Sequence, residues 1–228
     1  MTERKNEMKK LVYVTVMFTL LTAAAPAQVL PKVWSDSERG TMINFSVGLD
    51  YGATAHIGIT HPLNWITPGA VSLDWSVPMG AIVFDDMNLR LGGIFQFFES
   101  GGFSGAVKLG THYRTHQTIL VTISGFAADA GILAGYSSPD WSVAGETGFE
   151  WSVLSRIQHS SVMHSMNPSI RDGWYPNTAG HYYFGLSGSV AVVSRTDVTM
   201  RLGAVRSNDS ISNPVLPFYM MIGIQRCI

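Results

Sequence analysis

INFSVGLDYGATAHIGIT, residues 43–60, alternates from end to end. Ile43, Phe45, Val47, Leu49, Tyr51, Ala53, Ala55, Ile57 and Ile59 fall on one side of an extended chain. Asn44, Ser46, Gly48, Asp50, Gly52, Thr54, His56, Gly58 and Thr60 fall on the other. Successive side chains of a strand point to opposite faces, so the stretch has one apolar face and one polar or tiny face. Fully extended it would reach roughly 59 Å at about 3.3 Å per residue, whereas a tilted strand crosses a membrane in about 9–11 residues. It is therefore either one strand that overshoots a bilayer or a hairpin folded near Asp50-Tyr51-Gly52. A two-residue loop would switch the parity of the apolar face, and a three-residue loop would preserve it. The single overshooting strand is the expectation, because two strands of about seven residues would barely cross.

The same period of two recurs along the chain. Val71 to Val77, Leu89 to Phe97, Phe103 to Tyr113, Trp141 to Val153, Tyr182 to Val192, Val198 to Ala204 and Leu216 to Ile224 each set apolar residues against polar or small ones. Between them, TILVTISGFA and AGILAGY differ in phase near Gly125, which suggests a turn around Ala128-Asp129. That makes ten strands, with eight to twelve as the range. The even count suits a bacterial transmembrane barrel. If the first strand rises from the periplasm, the outer connections include 61–69, 99–102, 155–180 and 207–215, and the inner ones 114–117, 138–140 and 194–196. The inner connection 79–86 is longer than the short-turn rule favours. On this register Phe95, Phe97, Phe103, Trp151, Tyr182, Phe184 and Phe218 fall near outer strand ends, and Phe45, Tyr113, Tyr136 and Trp141 near inner ends. Aromatic rings favour the headgroup level, so two belts are expected of a membrane barrel.

Composition points the same way. Lys9-Lys10, the apolar run Leu11 to Thr22 and Ala25-Pro26-Ala27 form a secretory signal over residues 1–27, with Gln28 as the first mature residue. Residues 28–42 are read as a periplasmic segment and 43–228 as the barrel. The mature part has 11 Lys and Arg against 14 Asp and Glu, which offers no basic surface for a nucleic-acid partner. Cys227 is the single cysteine, so no intrachain disulfide or cysteine-based metal site forms. Charged residues are scarce, at 14%. Scarce charge, export and pervasive alternation indicate an all-β, antiparallel transmembrane β-barrel. The chain resembles small bacterial outer-membrane β-barrel proteins over its whole length, and its last strand, FYMMIGIQRCI, resembles the terminal strand read by the barrel-assembly machinery, with Ile228 in place of the usual aromatic. The resemblance implies the outer membrane as location, with outer-membrane lipid and that machinery as partners and an unidentified envelope or surface partner besides.

The polar face carries Asp50, Asp74, Glu146 and Glu150 against Arg90, Lys108 and Arg201. A midplane Lys or Arg facing lipid costs about 2–4 kcal/mol, and all seven share parity with the small polar side. They are read as an ion-paired network that fills the lumen and fixes the register, with a narrow pore or solute channel as the alternative. No nucleotide, phosphate or zinc motif stands out, so no cofactor or metal is expected. His112 and His116 would lie about 13 Å apart on a strand, and GFSGAV lacks the lysine and serine or threonine of a phosphate loop.

One stretch carries possible chemistry. His159-Ser160-Ser161 weakly resembles the His-x-Ser motif of outer-membrane lipid A deacylases. That resemblance implies His159 as base, Ser161 as nucleophile and Asp172 as the acid that orients the histidine. Val162-Met163 stands where that family has Asn-Ala, and its acid is a glutamate. The expected role is structural, adhesive or envelope assembly rather than enzymatic. A lipid A-modifying esterase and a secreted soluble β-sandwich are further alternatives.

Overall fold

The computed structural model describes residues 40–50, 52–64, 67–79, 86–176, 180–207 and 217–228. The signal segment, Gln28 and most of segment 28–42 lie outside the described residues.

Eleven strands and one short helix follow in order. They are β1 (Met42–Asp50), β2 (Ala53–Asn64), β3 (Pro68–Pro78), β4 (Met87–Ser100), β5 (Phe103–Gln117), β6 (Val121–Ser137), β7 (Trp141–His159), α1 (Ser161–Met166), β8 (Gly173–Pro176), β9 (Gly180–Val193), β10 (Thr196–Ser207) and β11 (Phe218–Cys227). Ten of them pair antiparallel in the ring β1-β2-β3-β4-β5-β6-β7-β9-β10-β11, and β11 pairs with β1 to close it. β8 is an extra strand beside the upper part of β7. Closure leaves no sheet edge within the ring, which hydrocarbon requires because water is not there to satisfy one. One sheet closed on itself also overturns the β-sandwich alternative.

The opening stretch is corrected: it is a hairpin. Leu49 pairs with Ala53 and Ile43 with Ile59, so the loop is the three residues 50–52 and the parity is unchanged. Its middle residue, Tyr51, lies outside the described residues. The turn expected at Ala128-Asp129 is corrected in the opposite direction, since β6 runs straight through it. Its alternation does not slip either: the odd residues stay on the inward side from Val121 to Leu133, and the phase changes in the sequence because Val121 and Ile123 are apolar residues buried on that inward side. The one irregularity is on the partner strand, where Phe126 pairs with Leu154 and Ala127 with Ser152, so Val153 is an extra residue on β7, a β-bulge. The two corrections cancel in the count, and ten strands remain.

They do not cancel in direction, because every strand between them is inverted. Both barrel termini, Met42 and Cys227, share an end with the brief connections 65–67, 101–102, 138–140 and 194–195. The longer ones, 79–86, 160–179 and 208–217, all leave the opposite end, which is the outer one by the rule of short periplasmic turns. Connection 79–86 thus belongs outside, and its length is no longer anomalous. Connections 61–69 and 99–102, expected outside, lie inside; residues 114–117 are the last of β5 at the outer end. Phe95, Phe97 and Phe103 move to the inner belt and Tyr113 to the outer one. Inside, Tyr136 stacks on Phe103 at 5.0 Å and on Trp141 at 5.4 Å; outside, Tyr113 meets Phe126 at 5.1 Å and Phe149 meets Tyr182 at 4.8 Å. At the inner β4–β5 hairpin, Gly101 and Gly102 have φ of +57° and +86°, the left-handed pair that a tight two-residue turn demands.

The outward positions form a continuous exposed apolar band that includes Leu73, Leu91, Leu109, Ile132, Leu186 and Ile222. In water so large a patch would drive association, and in a bilayer it is the solvated surface. The inward positions are polar over most of the wall and apolar at the inner end, where Met42, Ala70, Ile94, Ala106 and Leu133 pack together.

Candidate functional site

The strand period turns alternate residues of every wall into the lumen, so the interior chemistry is set by parity. Asp50, Asp74, Arg90, Lys108, Glu146, Glu150 and Arg201 all lie buried there. Ion pairs link four of them through a fifth strand. Arg90 on β4 bonds Asp129 on β6; Lys108 on β5 lies 3.7 Å from Asp129 and 3.9 Å from Glu146 on β7; Arg201 on β10 bonds Glu146. In the ten-strand ring β4 and β10 stand five places apart in either direction. The chain of charges therefore crosses the full diameter.

Two tyrosines complete the bridge. Tyr219 of β11 donates to Glu146 at 2.7 Å and Tyr183 of β9 donates to Asp129 at 3.4 Å. Their rings also take cations, with Lys108 4.5 Å from the Tyr183 centroid and Arg201 4.7 Å from that of Tyr219. These rings lie flat against the wall because the wall is glycine there. A Cβ on Gly148 would run into Tyr183, and one on Gly203 into Tyr219. Glycine in this lumen makes room for the bridge.

The other members are placed apart. Glu150 stands 3.3 Å from His112 and 3.8 Å from Arg114, nearer the outer mouth. Asp74 faces Arg90 across the β3–β4 register, and Asp50 makes no ion pair among the described residues. Toward the outer end a cavity of about 40 Å³ is lined by His112, Arg114, His116, Ser152 and Ser155. His116 is held by Asp86 at 2.7 Å. Among the described residues no group of three or more His, Cys, Asp or Glu is placed to hold a metal ion. Asp129, Tyr183, Tyr219 and Arg114 were not singled out from the sequence as lumen residues, and His112 was weighed there only with His116 as a metal pair. Asp129 was hidden by the turn expected at its position; continuing the β6 alternation inward from Leu133 through Gly131 would have found it.

The His159-Ser160-Ser161 stretch sits at the outer rim. Asp172 accepts from the His159 backbone at 2.9 Å and lies 2.8 Å from its Nδ1, with His164 Nε2 at 3.5 Å from the other carboxylate oxygen. Those bonds from His159, backbone first, hold the Asp172 carboxyl at about 2, below its ordinary 3.8. The acid and the histidine are brought together, but the serine is not. Ser160 caps α1 by accepting from Met163 at 3.4 Å, and Ser161 is the exposed first residue of that helix. Among the described residues no hydrogen bond joins Ser161 to His159. A serine nucleophile needs its base within about 3 Å. Ser161→Ala is therefore expected to leave lipid A acylation unchanged. Fatty-acid release from lipid A by the wild type, lost in that variant, would show a working serine.

A closed antiparallel barrel with an apolar exterior, aromatic belts at both ends and a polar interior is an outer-membrane β-barrel, and this chain is a small protein of that class. No family model matches the sequence, and no curated protein does. Among solved structures the chain is similar to the KdgM porin, with a TM-score of 0.40 and 10% identity over 82% of this chain and 99% of that one. It is similar to the NanC porin, with a TM-score of 0.41 and 7% identity over 83% and 100%. An outer membrane channel from Pseudomonas putida F1 gives a TM-score of 0.43 and 9% identity over 90% and 100%. Scores at this level carry no argument about solutes, and the class rests on the closure and the exterior described above.

Proposed function

We propose that the protein is a plugged envelope barrel that works at its outer rim, in a structural, adhesive or assembly role, and does not pass solutes through its lumen. The observation behind this reading is the diametric bridge Arg90–Asp129–Lys108–Glu146–Arg201, backed at the inner end by the apolar cluster around Met42 and Ile94. About eight strands give an interior that side chains fill, and 16 to 18 leave a channel. Ten strands with this many large inward groups belong with the filled barrels. The rim offers a surface instead, since α1 and β8 leave Val162, Met166 and Tyr175 exposed.

Purified protein reconstituted in planar bilayers is expected to show no discrete current steps above the bilayer background. Reproducible steps from the wild type would overturn the plugged reading in favour of a narrow pore.

A further inference from the structure

The outer halves of the barrel strands turn only two cations outward among the described residues, Arg156 on β7 and Arg206 on β10, and both are on one side of the ring. The pairing shows how they sit. Phe149 pairs with Tyr182 and Tyr182 with Arg206, so one outward row runs Phe149–Tyr182–Arg206 across β7, β9 and β10. Higher on β7, Arg156 pairs with Trp174 of β8, its guanidinium carbon 5.8 Å from the ring centroid. Trp151 lies between the two rows and is exposed. No described acid faces outward in this half of the barrel, and Asp172 in the adjoining connection is already held by His159 and His164.

This sector adjoins the exposed apolar band through Trp151 and Tyr182. An arginine facing hydrocarbon would be costly, whereas at headgroup level its fork meets phosphate in paired, charge-assisted hydrogen bonds. Trp and Tyr suit the same depth, with an apolar body and a polar edge. We propose that this face binds a phosphorylated outer-leaflet lipid, with Arg156 on phosphate, Trp174 packed beside it, and Trp151, Phe149 and Tyr182 against the upper acyl methylenes. Arg206 meets the anionic headgroup from the neighbouring strand.

The test uses the full-length barrel, folded in detergent, with native mass spectrometry reading bound lipid. The probes are lipid A, lipid A stripped of phosphate, phosphatidylethanolamine, and inorganic phosphate as competitor. Wild type is expected to retain lipid A well above the other two lipids. Arg156→Gln with Arg206→Gln is expected to reduce retention about tenfold or more, the scale of a lost charge-assisted hydrogen bond. Arg226→Gln, at the inner end, is expected to leave it unchanged. Circular dichroism checks folding, and if the double variant misfolds, each single substitution and Trp174→Ala are read in the same assay. Equal retention by the arginine variants, or equal retention of the dephosphorylated lipid, would overturn the proposal. Displacement of lipid A by millimolar inorganic phosphate would assign the site to a free anion instead.

Discussion

Leu186→Arg is expected to reduce the folding stability of the barrel in bilayers by about 2–4 kcal/mol, while Val192→Arg on the same strand reduces it by about 0–1. Both residues face outward on β9 and both are well exposed, at 52% and 62%. They differ in depth. Leu186 pairs with Gly145 and Leu202 in the middle of the wall, and Val192 lies beside the inner turn at 194–195. A soluble sheet would treat the two alike, because an exposed arginine in water is cheap at either place. Only a bilayer makes the penalty grow toward the centre. Equal urea-unfolding losses for both variants in liposomes would remove the membrane from the account. An inward control is harder to choose than parity suggests. Ser189 is packed against Ser142 at 2.7 Å, so an arginine there would be overpacked regardless of the membrane.

Parity made the barrel legible in the sequence and also concealed one of its turns. A three-residue loop keeps the apolar residues of β1 and β2 on the same numbers, so the hairpin at Asp50 to Gly52 left no mark in the pattern. The reversal near Gly125 did leave one although no turn is there, because Val121 and Ile123 are apolar residues on the inward side of β6 and hydrophobicity alone does not tell them from lipid-facing ones. Interior charges were easier, since an unpaired charge cannot face lipid. What the sequence withheld was which charges meet, because Arg90 and Asp129 are 39 residues apart and the pair depends on shear around the ring. The His159–Asp172 contact was foreseeable as histidine and downstream acid. Placing Ser161 required knowing that Ser160 would start a helix.

Arg201→Met is expected to destabilise the barrel by about 3–5 kcal/mol, because Glu146 stays buried without its main counter-charge. Both side chains are essentially inaccessible, at 0% and 1% exposure, so water cannot replace the lost partner. Tyr219 still donates to Glu146, but Lys108 at 3.9 Å is shared with Asp129. Glu146→Gln should be costly for the complementary reason, since it leaves a buried guanidinium whose remaining described partner is the Tyr219 ring. If the pair acts as one unit, Arg201→Met with Glu146→Gln loses much less than the two single losses added together. Urea unfolding of the four proteins in the same detergent reads this directly. Strictly additive losses would mean that each residue merely fills space, and the diametric bridge would then carry no electrostatic role. Conductance of the same set adds a separate reading. Current steps in Arg201→Met that are absent from the wild type would place the seal of the lumen at this pair, since methionine supplies most of the bulk of arginine but none of its bonds.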